Sequence, residues 1–154
     1  MSTEARALRE FAAADLRAVV DLWVMGWSET GLGIDFDARR GWLIGHLRAL
    51  RAGGAKIVVG LGAGGRPAGF AAIDLKFRYL DQLCVAPSEW GSGLAAALLD
   101  EAKRRSPGMI ELDVNEANGR ALRFYQREGF SVVGRGLNPR SGLPTLKMRW
   151  RPSG

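Results

Sequence analysis

A glycine turn between a strand-like segment and an amphipathic helix constrains the fold more than any other feature. Residues 79–85 are rich in β-forming side chains, Gly91 and Gly93 follow, and from Leu94 apolar residues recur on one helical face. Backbone N–H groups at a helix start are unpaired, and the helix dipole adds positive potential there. Glycine also keeps side chains away from an approaching anion. The segment therefore predicts a turn that binds phosphate groups.

The same turn also fits a dinucleotide-binding motif. Residues 91–96 match G-x-G-x-x-G/A, and the acidic Asp113 follows about 20 residues later, as that motif expects. However, the loop between Val85 and Gly91 is longer than the tight turn of a dinucleotide-binding fold, and only about 60 residues remain to complete a doubly wound sheet. A nicotinamide or flavin site is therefore disfavoured.

A second segment places a polar and an aromatic side chain on one helix face. Asn118 and Tyr125 are seven residues apart, which is two turns of a helix. Asn118 is a suitable N-cap for a helix over 118–128, and Gly129 is a suitable C-terminal stop. Tyr125 is therefore either a core aromatic residue of this helix or a functional partner of Asn118.

The other segments alternate between helical and strand-like patterns. Strands are predicted over 8–11, 57–59, 68–75, 79–85, 109–114, 131–134 and 145–150, and helices over 16–29, 37–52, from 94, and over 118–128. Asp37 is the predicted N-cap of the second helix, and residues 62–67 predict a hairpin turn. The order β-αα-βββ-α-β-α-ββ predicts an α/β (α+β) fold with a mixed sheet, and residues 1–154 are expected to form one domain.

The composition argues against several other functions. Cys84 and His46 are the only cysteine and the only histidine, so an internal disulfide, a metal site and a Ser-His triad are not expected. The N-terminus lacks a secretion signal and no apolar run is long enough for a membrane span, which predicts a soluble cytoplasmic protein. A net charge of +6 favours anionic ligands, but the basic residues are scattered, so we expect no dedicated nucleic-acid site.

The glycine turn and the second helix together resemble the GNAT N-acetyltransferase superfamily. Its cofactor motif is Q/R-x-x-G-x-G/A, and its following helix reads N-x-x-A-x-x-x-Y-x-x-x-G-F, which residues 118–130 match throughout. The resemblance covers residues 69–134, and more loosely the N-terminal β-α-α. It implies a mixed, mostly antiparallel central sheet that is splayed between strands 4 and 5. One departure is Trp90, which stands where the family usually has Arg or Gln.

By this resemblance the chain binds acetyl-CoA as a co-substrate. The backbone of the splayed strand would pair with the pantetheine arm, and the amides of the glycine turn would hold the pyrophosphate. Asn118 would hydrogen-bond the pantetheine end, and Tyr125 would protonate the departing thiolate as general acid. The cofactor-binding residues implied in this way are Leu83, Cys84, Val85, Gly91, Ser92, Gly93, Leu94, Ala95, Ala96, Asn118 and Tyr125.

The implied reaction is a direct attack of a neutral primary amine on the thioester, with a backbone N–H of the splayed strand stabilising the oxyanion. Asp81, expected on the same strand face as Leu83 and Val85, is the candidate general base. A surface role for Asp81 stays open, because some family members lose the amine proton through water. Cys84 is better explained as a small buried residue than as a nucleophile.

The acceptor pocket, by the same resemblance, is expected in residues 27–36 and 138–143. Acidic and aromatic side chains there and nearby are candidates to receive a cationic amine or to form the core: Glu29, Asp35, Asp37, Trp23, Trp27 and Trp42. The acceptor is expected to be a small molecule or a protein or peptide amine, with no nucleic-acid or membrane partner, and the protein a monomer or homodimer. Trp90 keeps an alternative open, a non-catalytic module that binds acyl-CoA for regulation.

Overall fold

The computed structural model describes residues 7–152, and seven strands in this part of the chain form one sheet. The strands are β1 (Leu8–Glu10), β2 (Lys56–Leu61), β3 (Pro67–Asp74), β4 (Tyr79–Val85), β5 (Ile110–Asn115), β6 (Ser131–Leu137) and β7 (Pro144–Trp150). The helices are α1 (Leu16–Ser28), α2 (Arg40–Ala52), α3 (Leu94–Arg105) and α4 (Gly119–Arg127). This confirms the predicted order β-αα-βββ-α-β-α-ββ.

The sheet is mostly antiparallel and diverges at its centre. Its spatial order is β1-β2-β3-β4-β5-β7-β6, and only β4 and β5 run parallel. These two strands pair at Tyr79 and Glu111 and separate beyond that point. The predicted splay between strands 4 and 5 is therefore confirmed, and a doubly wound dinucleotide fold, which needs a largely parallel sheet, is excluded.

Two hydrophobic cores cover the two faces of the sheet. Helices α1 and α2 pack on one face through residues such as Val19 and Leu43, and we call this side the α1/α2 core. Helices α3 and α4 pack on the other face, where Leu98 is fully buried, and we call this side the α3/α4 core. The central strand β3 is apolar almost throughout because its alternate residues enter both cores.

Two glycines let neighbouring elements approach β4 next to the divergence. A Cβ added to Gly26 of α1 would lie 3.1 Å from the sulfur of Cys84 and 3.2 Å from the carbonyl oxygen of Val85. At Gly69 of β3 it would lie 2.7 Å from a methyl carbon of Val85. Close packing of this kind leaves the end of β4 little freedom to move.

The start of α2 differs from the prediction. Asp37 does not cap α2, because its carboxylate accepts a hydrogen bond from Arg40 Nε at 2.6 Å. The preceding turn is instead closed by Asp35, whose Oδ1 accepts from the backbone N–H of Ala38 at 3.1 Å. A single-turn 3-10 helix then leads into α2. Within residues 7–152 no helix is long and apolar enough to cross a membrane.

Candidate active site

The divergence of β4 and β5 opens a gap lined by backbone. Residues 83–85 of β4 pair with residues 69–71 of β3 on one side, while the described part of β5 provides no register partner on the other side. Asn115, which ends β5, lies four residues beyond Glu111, the residue that pairs with Tyr79. Asn115 Oδ1 is the buried side-chain atom of residues 7–152 that lacks a hydrogen-bond partner. A donor from a bound molecule would satisfy it.

The glycine turn has the geometry expected of an anion site. Gly91 and Gly93 have φ angles of 81° and 93°, in the left-handed region, and a Cβ added at either position would meet nothing within 4 Å. The first hydrogen bond of α3 runs from the Ala97 amide to the Gly93 carbonyl at 3.0 Å, so the amides of Ala95 and Ala96 precede it. These amides are available to an anion at the positive end of a 12-residue helix.

Asn118 lies at the start of α4 and performs the predicted capping role. Its Oδ1 accepts a hydrogen bond from the Ala121 amide at 3.2 Å. The oxygen of the side chain is thus committed to the helix, and the amide –NH₂ group remains to donate elsewhere. The predicted N-cap is confirmed, and it is compatible with a second role in ligand binding.

Tyr125 faces the α3/α4 core from the second turn of α4. Its ring meets those of Phe124 and Phe130 edge-on, with centroids 5.3 and 5.5 Å apart. Burial raises the pKa of the Tyr125 hydroxyl, and the nearby Cys84 adds to the effect. Tyr125 therefore stays protonated at physiological pH.

Burial also raises the pKa of the Cys84 thiol to about 12, so Cys84 is a neutral core thiol at physiological pH and not a nucleophile.

Trp90, the residue that departs from the family motif, stacks against an arginine. The guanidinium carbon of Arg120, in the first turn of α4, lies 3.4 Å from the centroid of the Trp90 ring. A cation held over an aromatic face is attracted by the ring and is restricted in its orientation. The glycine turn and the start of α4 thus meet through this pair, and a cation stands close to the position where the family usually has one.

Asp81 lies at a β-bulge, which overturns its predicted orientation. The register of β3 and β4 shifts here and leaves Asp81 without an opposite residue. Because bulges break the alternation of side chains, Asp81 contacts α2 while its neighbour Gln82 contacts α1. Leu83 and Val85 pack in the α3/α4 core instead. The prediction that Asp81 shares their face is therefore wrong.

His46 of α2 is the partner of Asp81. Its Nε2 lies 2.6 Å from Asp81 Oδ1, and both side chains keep partial exposure, 27% and 20% respectively. The His46 ring stacks on the Trp42 ring, with centroids 4.6 Å apart. The guanidinium carbon of Arg140 lies 4.0 Å from the centroid of the same Trp42 ring. The loop between β6 and β7 therefore meets α2 beside Asp81.

A cavity of about 260 Å³ is lined by residues of β4, β5, β6 and β7 and of the loop between β6 and β7. Tyr79 and Asp113 line it and are joined by a 2.6 Å hydrogen bond from the Tyr79 hydroxyl to Asp113 Oδ2. Burial raises the pKa of Tyr79, and the hydrogen bond to Asp113 and the charges of Asp113 and Asp81 add to the effect. The other polar residues of the lining are Arg135, Asn138, Thr145 and Lys147. This cavity is the candidate acceptor cleft.

The other predicted acceptor residues are distributed differently. Trp23 is a core residue with 4% exposure. Trp27 stacks on Phe36 with ring centroids 5.7 Å apart at the edge of the α1/α2 core. The carboxylates of Asp35 and Asp37 serve the start of α2, as described above. Of the expected segments, 138–143 therefore contributes to the cleft and the aromatic residues of 27–36 mainly to the core.

Three residues near the site were not foreseen from the sequence. His46 was set aside because it is the only histidine, although an imidazole needs only one carboxylate to form a pair. Arg120 carries no motif signal of its own, although its place two residues after the N-cap put it at the helix start. Asn115 ends a strand, and nothing in its spacing marked it.

The architecture places the chain among the acetyltransferases. A family model described as the acetyltransferase (GNAT) family matches residues 16–130, and the chain belongs to this family. It is 30% identical over 145 residues to the peptidyl-lysine N-acetyltransferase YiaC of Escherichia coli, covering 93% of this chain and 95% of that one. It is 32% identical over 88 residues to the streptothricin acetyltransferase of Streptomyces lavendulae, covering 52% and 47% of the two chains.

Solved structures share the fold. The apo form of YjaB from Escherichia coli matches with a TM-score of 0.77 and 23% identity over 97% of this chain and all of that one. A phosphinothricin acetyltransferase from Sinorhizobium meliloti, solved in complex with AcCoA, matches with a TM-score of 0.75 and 20% identity, covering 96% of this chain and 89% of that one. The chain therefore shares the fold of these proteins, and its family is the one shown by the sequence match.

Proposed function

We propose that the protein transfers the acetyl group of acetyl-CoA to a primary amine of a small molecule, a protein or a peptide by direct attack. The observation that carries the proposal is the gap between β4 and β5. The glycine turn follows β4 in the chain, and Tyr125 packs in the α3/α4 core on the same side as Leu83 and Val85. Residues 83–85 have no register partner on β5, and Asn115 Oδ1 at the end of β5 is a buried acceptor without a partner, so the region suits an amide-containing chain such as pantetheine.

Different residues around the gap are proposed to bind different parts of the cofactor. Residues 83–85 offer backbone groups to the pantetheine arm, in the manner of an added strand. The amides of Ala95 and Ala96 offer donors to the pyrophosphate, and Gly91 and Gly93 keep side chains out of its way. The amides of Ser92 and Leu94 already donate to the Glu89 carbonyl and the Ser92 hydroxyl. Asn118 offers its amide –NH₂ to the pantetheine end. Bound acetyl-CoA supplies the thioester that makes the acetyl group transferable.

Two side chains are proposed to transfer protons, Asp81 as general base and Tyr125 as general acid. Asp81 takes a proton from the attacking amine as its nitrogen bonds to the acetyl carbon, and Tyr125 gives a proton to the sulfur as the carbon–sulfur bond breaks. Solvent then removes the proton from Asp81 and restores the one on Tyr125. The products are the N-acetylated amine and CoA with a free thiol, and no covalent acyl-enzyme is formed.

The acceptor is proposed to enter through the cleft next to Asp81. Asp113 in the cleft and Asp81 next to it attract a cationic amine, while Arg135 and Lys147 of the cleft lining suit an acceptor that also carries an anionic group. The named activities of the relatives, on peptidyl lysine and on streptothricin, both concern amines. A lysine side chain and a small-molecule amine therefore form the first two arms of an acceptor screen. Three further statements stay predictions: that the chain forms one domain, that it is cytoplasmic, and that it is a monomer or homodimer.

The proposed function is tested by amine-dependent release of free thiol from acetyl-CoA. A panel of lysine peptides, aminated small molecules and amino acids is expected to contain acceptors whose acetylated products appear by mass spectrometry in step with the thiol. Tight binding of CoA without turnover across the panel would instead support the non-catalytic acyl-CoA module that the Trp90 substitution suggested.

Replacing Arg120 by Gln is expected to weaken acetyl-CoA binding about 10- to 150-fold and to leave kcat at saturation unchanged. Arg120 is proposed to supply the phosphate contact that Trp90 does not, because the indole holds its guanidinium beside the glycine turn. Loss of one hydrogen bond to a charged group costs about 1.5–3 kcal/mol, and isothermal titration calorimetry measures the change. Arg127→Gln, the same change at the far end of α4, is the control, and equal weakening in both variants would contradict the proposal.

A further inference from the structure

The hydrogen bond between His46 and Asp81 has only one chemically consistent direction. A carboxylate accepts hydrogen bonds and does not donate them, so at 2.6 Å the Nε2 atom of His46 carries the hydrogen and donates it to Asp81 Oδ1. Gln82 donates to the same oxygen from its Nε2 atom at 3.2 Å. Two donors thus converge on Oδ1 and leave Oδ2 without a hydrogen bond from the described residues.

The donors are themselves held in place. The Oε1 atom of Gln82 accepts a hydrogen bond from the indole of the buried Trp23 at 3.2 Å, which fixes the amide orientation. The His46 ring lies almost parallel to Trp42, with an interplanar angle of 16°. Both helices of the α1/α2 core therefore contribute to the orientation of a single carboxylate on β4. A bulge that turns Asp81 out of the strand alternation makes this possible.

We infer that His46 is a positioning residue that orients Asp81 so that Oδ2 faces the acceptor amine and takes its proton, an inference that rests on the proposed function. In the transfer step the amine nitrogen loses its hydrogen to Oδ2 while it bonds to the acetyl carbon, and His46 keeps Oδ1 occupied. Without His46, the carboxylate can rotate about its side-chain bonds and the productive arrangement is populated less often.

A purely structural role explains the arrangement less well. Both side chains keep partial exposure, so the pair is accessible from solvent and is not a fully buried core contact. Asp81 also lies two residues after Tyr79 on β4, and Tyr79 lines the cleft. The pair therefore lies next to the cleft, where the orientation of Asp81 can matter for chemistry.

Two His46 variants separate the two contributions of the ring. His46→Phe keeps the stacking on Trp42 and removes the donor, whereas His46→Gln loses the stacking and keeps an N–H donor of similar reach. We expect His46→Phe to lower kcat about 10- to 100-fold, the range of a misplaced catalytic group, and His46→Gln to stay within about threefold of the wild type. The KM for acetyl-CoA is expected to be unchanged in both. A His46→Gln variant as slow as His46→Phe, or a His46→Phe variant with the wild-type kcat, would overturn the inference.

A double-mutant cycle asks whether His46 acts through Asp81. Asp81→Asn alone is expected to lower kcat at least as much as His46→Phe. In the Asp81→Asn background, His46→Phe should then cause no further loss, because the group that it positions is gone. Independent, multiplying losses would overturn the inference while leaving the assignment of Asp81 as base intact.

Because the chain has a single histidine, NMR can test the hydrogen bond of His46 without an activity assay. The imidazole nitrogens of His46 give the only histidine side-chain signals of the chain. We expect an Nε2 proton that exchanges slowly enough to be observed in the wild type and that is lost in Asp81→Ala, which removes the acceptor. Absence of this proton in the wild type overturns the inference and leaves the acetyl-transfer proposal standing. Absence of turnover with every amine, with the proton present, overturns the proposed function and the inference with it.

Discussion

The Tyr125→Phe variant is expected to turn over about 100-fold more slowly than the wild type, the lower end of the range for general acids, while binding acetyl-CoA with nearly unchanged affinity. The change removes one hydroxyl and keeps the ring that contacts Phe124 and Phe130 edge-on, so the α3/α4 core should remain intact. Single-turnover measurement of thiol release isolates the chemical step from product release. Calorimetric titration with acetyl-CoA provides the comparison of affinities.

The pH dependence of the rate gives this prediction a second test. Burial raises the pKa of Tyr125, so the phenol keeps its proton well into the alkaline range and stays able to act as an acid. At pH values up to about 10, the wild-type rate should therefore show no decrease that is caused by deprotonation of Tyr125. A descending limb near neutral pH that disappears in Tyr125→Phe would contradict the raised pKa. An unchanged kcat across the pH range would show that another group protonates the thiolate.

The order of the elements was accessible from the sequence because each segment carries a strong local signal. Strand β4 was predicted with its observed ends, and α4 with its N-cap at Asn118 and its stop at Gly129. Alternation, helical periodicity, capping residues and glycines act over a few neighbours, so they can be recognised without knowledge of the partner elements. The splay of the sheet was different, since it came only from the resemblance of two motifs to a family.

The pairs that complete the site were not accessible in this way. His46 and Asp81 are 35 residues apart and lie on different elements, and Trp90 and Arg120 meet only after α4 has packed beside the glycine turn. The orientation of Asp81 was predicted wrongly because strict alternation was assumed, while a bulge at that residue breaks it. Side-chain partners set by tertiary packing, and irregularities within a strand, leave little trace in local patterns.

Replacing Gly93 by Val is expected to raise the Kd for acetyl-CoA about 100-fold, which is about 2.7 kcal/mol of binding free energy. The φ angle of 93° favours glycine, and an added Cβ would stand in open space beside the amides that begin α3. A branched side chain there keeps phosphate oxygens from reaching those amides. The strain of a β-branched residue at positive φ also lowers the free energy of unfolding by about 1–3 kcal/mol, so binding is measured on variant protein shown to be folded by circular dichroism.

Gly54→Val separates the strain from the loss of binding. Gly54 has a φ angle of 92° and an added Cβ there also meets nothing within 4 Å, but it lies between α2 and β2, away from the turn. Both variants should therefore lose similar stability in thermal unfolding, and only Gly93→Val should lose affinity for acetyl-CoA. Equal affinity in the two variants would mean that the α3 amides do not hold the pyrophosphate. Because dephosphorylated fragments such as pantetheine make no contact with the amides in this scheme, their binding should be the same in both variants, which assigns the lost affinity to the phosphates.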